Sequence, residues 1–167
     1  RETLRAALEG KKINVSDNIR KKYSEKKACF VTLTENGRLR GCIGSLQAHQ
    51  ELWKDVINNA INAGFNDNRF LPLTNEEIDK IKIGISVLSK PEELKFSDEK
   101  DLLDKIDKKM GIVLKKGFCS ATFLPQVWEQ IPSKKEFLEQ LCLKAGLDKD
   151  EWKDSEIWFY RVEKAEE

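Results

Sequence analysis

Arg40 and Cys42 stand two residues apart in the segment Leu39-Arg40-Gly41-Cys42-Ile43-Gly44. A guanidinium near a thiol favours the thiolate, which is the nucleophilic form of cysteine. Gly41 and Gly44 remove side-chain bulk on either side of the thiol, so that a ligand or another backbone comes close. The only histidine, His49, follows further along the chain and is a candidate base toward Cys42. A second polar group, Asn66-Asp67-Asn68-Arg69-Phe70, adds another guanidinium and a carboxylate. Two arginines match a carboxylate or phosphate as bidentate forks, and Asp67 would orient one of them. The candidates are therefore Cys42 and His49 for catalysis, and Arg40, Gly41, Gly44, Asp67 and Arg69 for an anionic ligand.

Each residue also has a plain structural reading. Cys42 can be a small buried hydrophobe, with Arg40 closing a lobe-to-lobe salt bridge. His49 can be a residue just ahead of a helix. A strand rises ~3.3 Å per residue, so Cys42 and His49 meet only if the chain folds back. Asp67 and Arg69 can pair with each other or hold their loop through Asx turns. Cys29, Cys119 and Cys142 read as core thiols.

The elements that position these residues follow from patterning. Asn36-Gly37 is a strong hairpin signal, because both central residues of a type I′ turn need φ > 0. Residues 28–35 and 38–46 are the expected strands. A two-residue turn sets Cys42 opposite Val31 and Arg40 opposite Leu33, with Phe30, Leu39 and Ile43 in the core. A helix is expected over 51–64, with Leu52, Val56, Asn59/Ala60 and Ala63 on one face. Its length of roughly 20 Å brings the Asn66 loop back toward the return strand. Thr74 with Glu77 makes a capping box for a short helix to Lys80. Ile81, Ile83, Ile85 and Val87 alternate, so 81–89 is a strand. Further elements are helices over 1–9 and from Ser16 toward Tyr23, and a polar helix from Ser97 to about Lys108. A second hairpin (112–115 and 118–124) turns at Lys116-Gly117. Ala121 to Gln130 is aromatic core and turn around Pro125. A helix over 133–145 closes at Gly146, Asp148 caps a final turn, and 157–162 is a strand. Hairpin-linked strands mixed with helices predict an α+β fold with a mainly antiparallel sheet flanked by helices.

Composition narrows the function classes. At 167 residues, with 40% hydrophobic and 35% charged residues, the chain is long enough for a substantial core. A formal net charge of +1 gives no field toward nucleic acid or a membrane surface. Paired lysines such as Lys21-Lys22 and Lys108-Lys109 are interspersed with acids and read as solvated surface. No apolar run approaches a membrane span, and no signal peptide is visible. Four cysteines without a C-x-x-C pair, beside one histidine, argue against a metal site. They read as reduced thiols in a cytoplasmic protein. Gly41 to Gly44 is a G-x-x-G, but it falls in an expected strand rather than between the helices of a KH domain. No glycine-rich phosphate loop occurs. The start at Arg1, inside a helical stretch, suits a domain cut from a longer protein.

The segment Leu39 to Gly44 resembles the signature of the AMMECR-type domain family. The likeness continues through His49, Asn66 to Phe70 with Pro72-Leu73, Ile85-Ser86-Val87-Leu88 and Ala121 to Gln130. It ends with Phe137-Leu138, Leu141-Cys142 and Ala145-Gly146-Leu147, so it spans nearly the whole chain. The resemblance implies a single domain over 1–167 with two α/β lobes meeting in a groove. It assigns no reaction and no cofactor. Prokaryotic relatives are often fused to, or encoded beside, a Memo-type domain and a radical-SAM protein, which implies those partners. Two functions follow. One is an enzyme, or enzyme subunit, modifying a small molecule or protein through Cys42 and Arg40. The other is a non-catalytic ligand-sensing or adaptor module binding an anion or partner segment in the same groove. RNA binding is disfavoured, because a motif of stacking aromatics is missing.

Overall fold

The chain opens with two short helices, α1 (Glu2–Leu8) and α2 (Asp17–Lys22), and then enters a hairpin of β1 (Cys29–Glu35) and β2 (Arg38–Gly44). Asn36 and Gly37 both take positive φ, 50° and 75°, as a type I′ turn requires. The computed structural model describes every residue from Arg1 to Glu167. Helix α3 (Leu52–Phe65) follows, then β3 (Ile81–Leu88) and a two-residue strand β4 (Glu92–Glu93). Helix α4 (Glu99–Lys105) leads into a second hairpin of β5 (Gly111–Lys116) and β6 (Cys119–Phe123). Helix α5 (Lys134–Lys144), β7 (Glu156–Tyr160) and β8 (Val162–Glu166) complete the chain, with 3-10 turns at Pro125–Glu129 and Glu151–Asp154. The fold is α+β, with two four-stranded sheets. The chain divides into two compact units: Arg1–Lys90 with Glu163–Glu167, and Pro91–Val162.

The first unit is built on the sheet order β2-β1-β3-β8. Strand β1 runs antiparallel to both neighbours, so α3 carries the chain from one side of β1 to the other. Val31 and Leu33 of β1 and Ile81 and Ile83 of β3 point to one face. There they form a core with Leu4, Ala60, Ala63, Leu73 and Ile78. The buried face of α3 is small and polar, comprising Asp55, Asn59, Ala60, Ala63 and Gly64. Such a face lets helix and sheet backbones approach closely.

The second unit has the order β4-β7-β5-β6. Its core gathers Leu102, Ile112, Leu114, Leu138 and Leu141 around stacked Trp128 and Phe137, whose ring centroids are 3.5 Å apart. Tyr160 is fully buried and meets Thr122 Oγ1 at 3.0 Å. Burial pushes its phenol up to about 12.

Several expectations need correction. The first hairpin carries a β-bulge: Leu33 pairs with Gly41 but Thr34 pairs with Leu39, which leaves Arg40 as the extra residue. Cys42 therefore sits opposite Thr32 rather than Val31, and Arg40 is not opposite Leu33. Leu39, before the bulge, keeps its expected partner Thr34, on the face away from Val31 and Leu33, and is 45% exposed, while the slip brings Ile43 opposite Val31. Ile43 packs against the core and Phe30 is half-buried. Residues 75–80 are a run of turns rather than a helix. The α4 cap is Asp98, which accepts the Asp101 amide, and that helix stops at Lys105 rather than Lys108. The final 3-10 turn starts after Asp150, whose side chain makes no capping bond; Asp148 accepts the Glu151 amide on its carbonyl and donates its own amide to Glu151 Oε2. The last strand ends at Tyr160, and the chain then returns to the first sheet as β8.

Candidate functional site

The bulge aims Arg40 sideways, away from the regular alternation of the strand. Its guanidinium meets Glu77 as a fork, Nε donating to Oε1 at 2.6 Å and Nη2 to Oε2 at 3.1 Å. Nη2 also donates to the Leu71 carbonyl at 2.9 Å. Glu77 Oε2 in turn accepts from the Thr74 amide at 2.8 Å, so the expected capping contact forms without a helix. These bonds, the Arg40 fork foremost, hold the Glu77 carboxyl down to about 2. One donor, Arg40 Nη1, is buried without an acceptor.

Two residues along, a second carboxylate holds the strand itself. Asp67 is buried and its Oδ2 accepts the Cys42 amide at 2.9 Å. Arg69 reaches back to Asp67, Nε to Oδ1 at 2.9 Å and Nη2 to Oδ2 at 2.7 Å. Arg69 Nη2 also donates to the Cys42 carbonyl at 3.2 Å. Both main-chain groups of Cys42 that face away from β1 are thus occupied by the 67–69 turn. The Arg69 fork, then the Cys42 and Arg69 amides, hold the Asp67 carboxyl well below the usual carboxylate range. Both guanidiniums approach the Phe70 ring, Arg40 at 5.9 Å and Arg69 at 5.5 Å from its centroid.

The glycines are filled by the protein's own atoms. A Cβ on Gly41 would lie 2.1 Å from the Ala63 carbonyl oxygen of α3. A Cβ on Gly44 would lie 2.4 Å from both the Cys29 carbonyl oxygen and the Phe30 ring. The close approach expected of these glycines is therefore made by backbone and ring rather than by open space.

Arg40, Cys42, Asp67 and Arg69 come together, all within the first unit. His49 does not join them. It is exposed in the connection between β2 and α3, and the Cys42 thiol instead meets Thr32 Oγ1 at 3.3 Å.

Sequence reasoning missed a second buried polar group. Asp55 Oδ2 accepts the Cys29 amide at 3.0 Å, the Cys29 thiol at 3.2 Å and Asn59 Nδ2 at 3.0 Å, while Oδ1 accepts Gln50 Nε2 at 2.9 Å. The available signal was an aspartate and an asparagine four apart on a helix face otherwise assigned to the core. Burial, and the Asp55 carboxylate beside it, push the Cys29 thiol up to about 12. Burial raises Cys142 as well, whereas Cys42 and Cys119 are half-exposed. Iodoacetamide at pH 8 is therefore expected to label Cys42 and Cys119 at least about tenfold faster than Cys29 and Cys142. Peptide mass spectrometry over time reads this. Labelling of Cys42 only on unfolding would make it a packed thiol.

Comparison with known proteins agrees with this fold. The family model described as AMMECR1 matches residues 1–165. A protein of Aquifex aeolicus is 41% identical over 162 residues, covering 92% of this chain and 80% of its own length. Protein NEQ441 of Nanoarchaeum equitans is 39% identical over 166 residues, covering 98% of this chain and 92% of that one. The crystal structure of the uncharacterized protein PH0010 from Pyrococcus horikoshii superposes with a TM-score of 0.88 at 33% identity, covering 99% of this chain and 88% of that one. With the family model matching residues 1–165 and its fold shared with a solved relative, the chain belongs to the AMMECR1 family.

Proposed function

We propose that this domain is a non-catalytic adaptor, and that it docks a partner protein on the surface formed by Leu39, Phe70 and Leu71. The observation that carries this reading is Leu71. It is 83% exposed, yet its carbonyl is bound by Arg40 and Pro72 follows it, so an apolar side chain is presented on a pinned backbone. Leu39, 45% exposed, is a second exposed leucine, next in the chain to Arg40. Rigid apolar anchors rimmed by arginine are the usual core of a protein interface. The two arginines are already paired with Glu77 and Asp67, which supports a holding role over capture of a free anion. The partner that the family resemblance suggests is a Memo-type protein, with a radical-SAM protein as the third member.

Calorimetric titration of the domain with the Memo-type protein of the same organism tests this. Leu71→Glu is expected to weaken binding at least about tenfold while the melting temperature stays put, because the side chain is exposed. Cys42→Ser is expected to leave binding unchanged. Equal binding by wild type and Leu71→Glu would remove the docking surface. A modification of the partner that Cys42→Ser abolishes would restore the enzyme reading, with Cys42 as nucleophile.

A further inference from the structure

The two sheets treat their outer strands differently. In the first, the outward main-chain groups of β2 at Cys42 are taken by Asp67 and Arg69. In the second, β6 is outermost and pairs with β5 alone. The hairpin brings Lys116 opposite Cys119 across the two residues Gly117 and Phe118. An antiparallel ladder bonds alternate residues, so such a turn points the main chain of Cys119, Ala121 and Phe123 toward β5 and that of Ser120 and Thr122 outward. The Thr122 carbonyl shows that direction, since it accepts Lys144 Nζ of α5 at 2.9 Å. The Ser120 amide, the Ser120 carbonyl and the Thr122 amide are bonded by no other part of the chain.

An open edge of this kind is where another chain adds a strand, unless bulges, prolines or charges in the strand prevent it. β6 has none of these. Cys119 to Phe123 carry no charge and no proline, and their pairing with β5 is regular. The strand's shield is the one lysine that reaches in from α5. Just before β6, Phe118 is fully exposed, on a turn that Gly117 fixes with a φ of 58°. An aromatic side chain presented from a fixed turn is an anchor for a partner.

Charge selects the occupant. Residues 111–124 include Lys115 and Lys116 and no acid. Lys116 is paired with Glu151 at 3.0 Å, and Lys115 stands 4.7 Å from the centre of the Trp158 ring. Lys144 lies at the edge itself, 4.9 Å from the centre of the Phe123 ring. A carboxylate is a stronger partner for its ammonium than the carbonyl it now holds.

We propose that β6 docks an extended acidic segment of a partner protein, which adds a strand to the second sheet. The main chain of the segment pairs with Ser120 and Thr122. One of its carboxylates takes Lys144 from the Thr122 carbonyl, and an apolar side chain packs on Phe118. The edge belongs to the second unit and Leu71 to the first, so this proposal and the adaptor reading fail separately.

The probe is the capped peptide Val-Glu-Val-Thr-Val-Glu-Val, titrated into the full chain and followed by amide NMR. Binding is expected with a Kd below about 1 mM, with the Ser120 and Thr122 amides shifted and their hydrogen exchange slowed. The same peptide with lysine in place of glutamate is expected to bind at least about tenfold more weakly. Lys144→Gln is expected to remove most of that difference, and Phe118→Ser to weaken both peptides. Ser120→Pro removes an outward amide and no ladder bond, so it is expected to abolish binding with little change in melting temperature. A peptide N-methylated at alternate residues along its pairing edge serves the same purpose if Ser120→Pro fails to fold. No binding at about 1 mM would overturn the proposal. So would equal binding of the lysine or N-methylated peptide, or shifts confined to residues outside β6 and its turn. If light scattering finds pairs of chains that Ser120→Pro separates, the edge takes a second copy and the proposal fails.

Discussion

Gly41→Ala is expected to destabilise the first unit by about 3 kcal/mol or more. The added methyl would arrive 2.1 Å from the Ala63 carbonyl oxygen, which is backbone and has no rotamer to move aside. Either α3 must lift from the sheet, loosening Ala60 and Ala63 from Val31 and Leu33, or β2 must leave its place beside β1. Urea unfolding, with hydrogen exchange of the β1 and β2 amides, measures the loss. Gly84→Ala is the control. Its methyl would meet nothing closer than 3.7 Å, so a change within about 0.5 kcal/mol is expected. Equal effects at the two positions would mean that the helix accommodates the methyl, and that Gly41 is not required by packing.

Asp67→Ala is expected to cost about 3 kcal/mol, since it leaves the Cys42 amide without its acceptor and Arg69 without its carboxylate. The effect has a pH signature. A carboxyl held below its unfolded value stabilises the fold above that value, and the contribution disappears as pH falls through the folded one. For Glu77 the loss runs from an ordinary value near 4.5 down to about 2. For Asp67 it begins near 3.8 and continues further into acid. Wild-type stability should therefore fall steadily below about pH 4.5. In Asp67→Ala the lower part of that fall should be shallower, because one of the two carboxylates is gone. Parallel acid titrations of the unfolding free energy decide this. Identical slopes would mean that Asp67 is not linked to folding.

Much of the fold was legible in the sequence because each signal was local. Asn36-Gly37 encoded its turn, the 81–88 alternation its strand, and the spacing of Val56, Ala60 and Ala63 its helix. Arg40 was misplaced for the same reason. The strand's glycines mark a bulge or a close approach without saying which or where, and the place of the bulge goes with what lies beside the strand, here Glu77 and Leu71. One extra residue then reversed the faces of Cys42 and Ile43 relative to β1, while Leu39 kept its expected partner Thr34. The proximity of Asp67 and Arg69 to Cys42 was legible from the length of α3. Their use on main-chain groups rather than on a ligand was not, because it depends on which edge of β2 is left unpaired. The last strand was missed because a polar run of five residues has little pattern of its own; its place is set by β3.

The 67–69 turn has a further consequence for how this protein behaves in concentrated solution. β2 is the outermost strand of its sheet, and an outermost strand with free amides and carbonyls invites a foreign strand to join it. Asp67 and Arg69 occupy those positions at Cys42, as a neighbouring strand would, but with side chains that cannot be extended into a ladder. The glycine-bearing strand, which has little bulk with which to defend itself, is thus kept from templating its own copies by two charges. Acid that removes the charge on Asp67 removes that guard together with the stability, so the species that appears at low pH is one with an open edge rather than a merely loosened monomer.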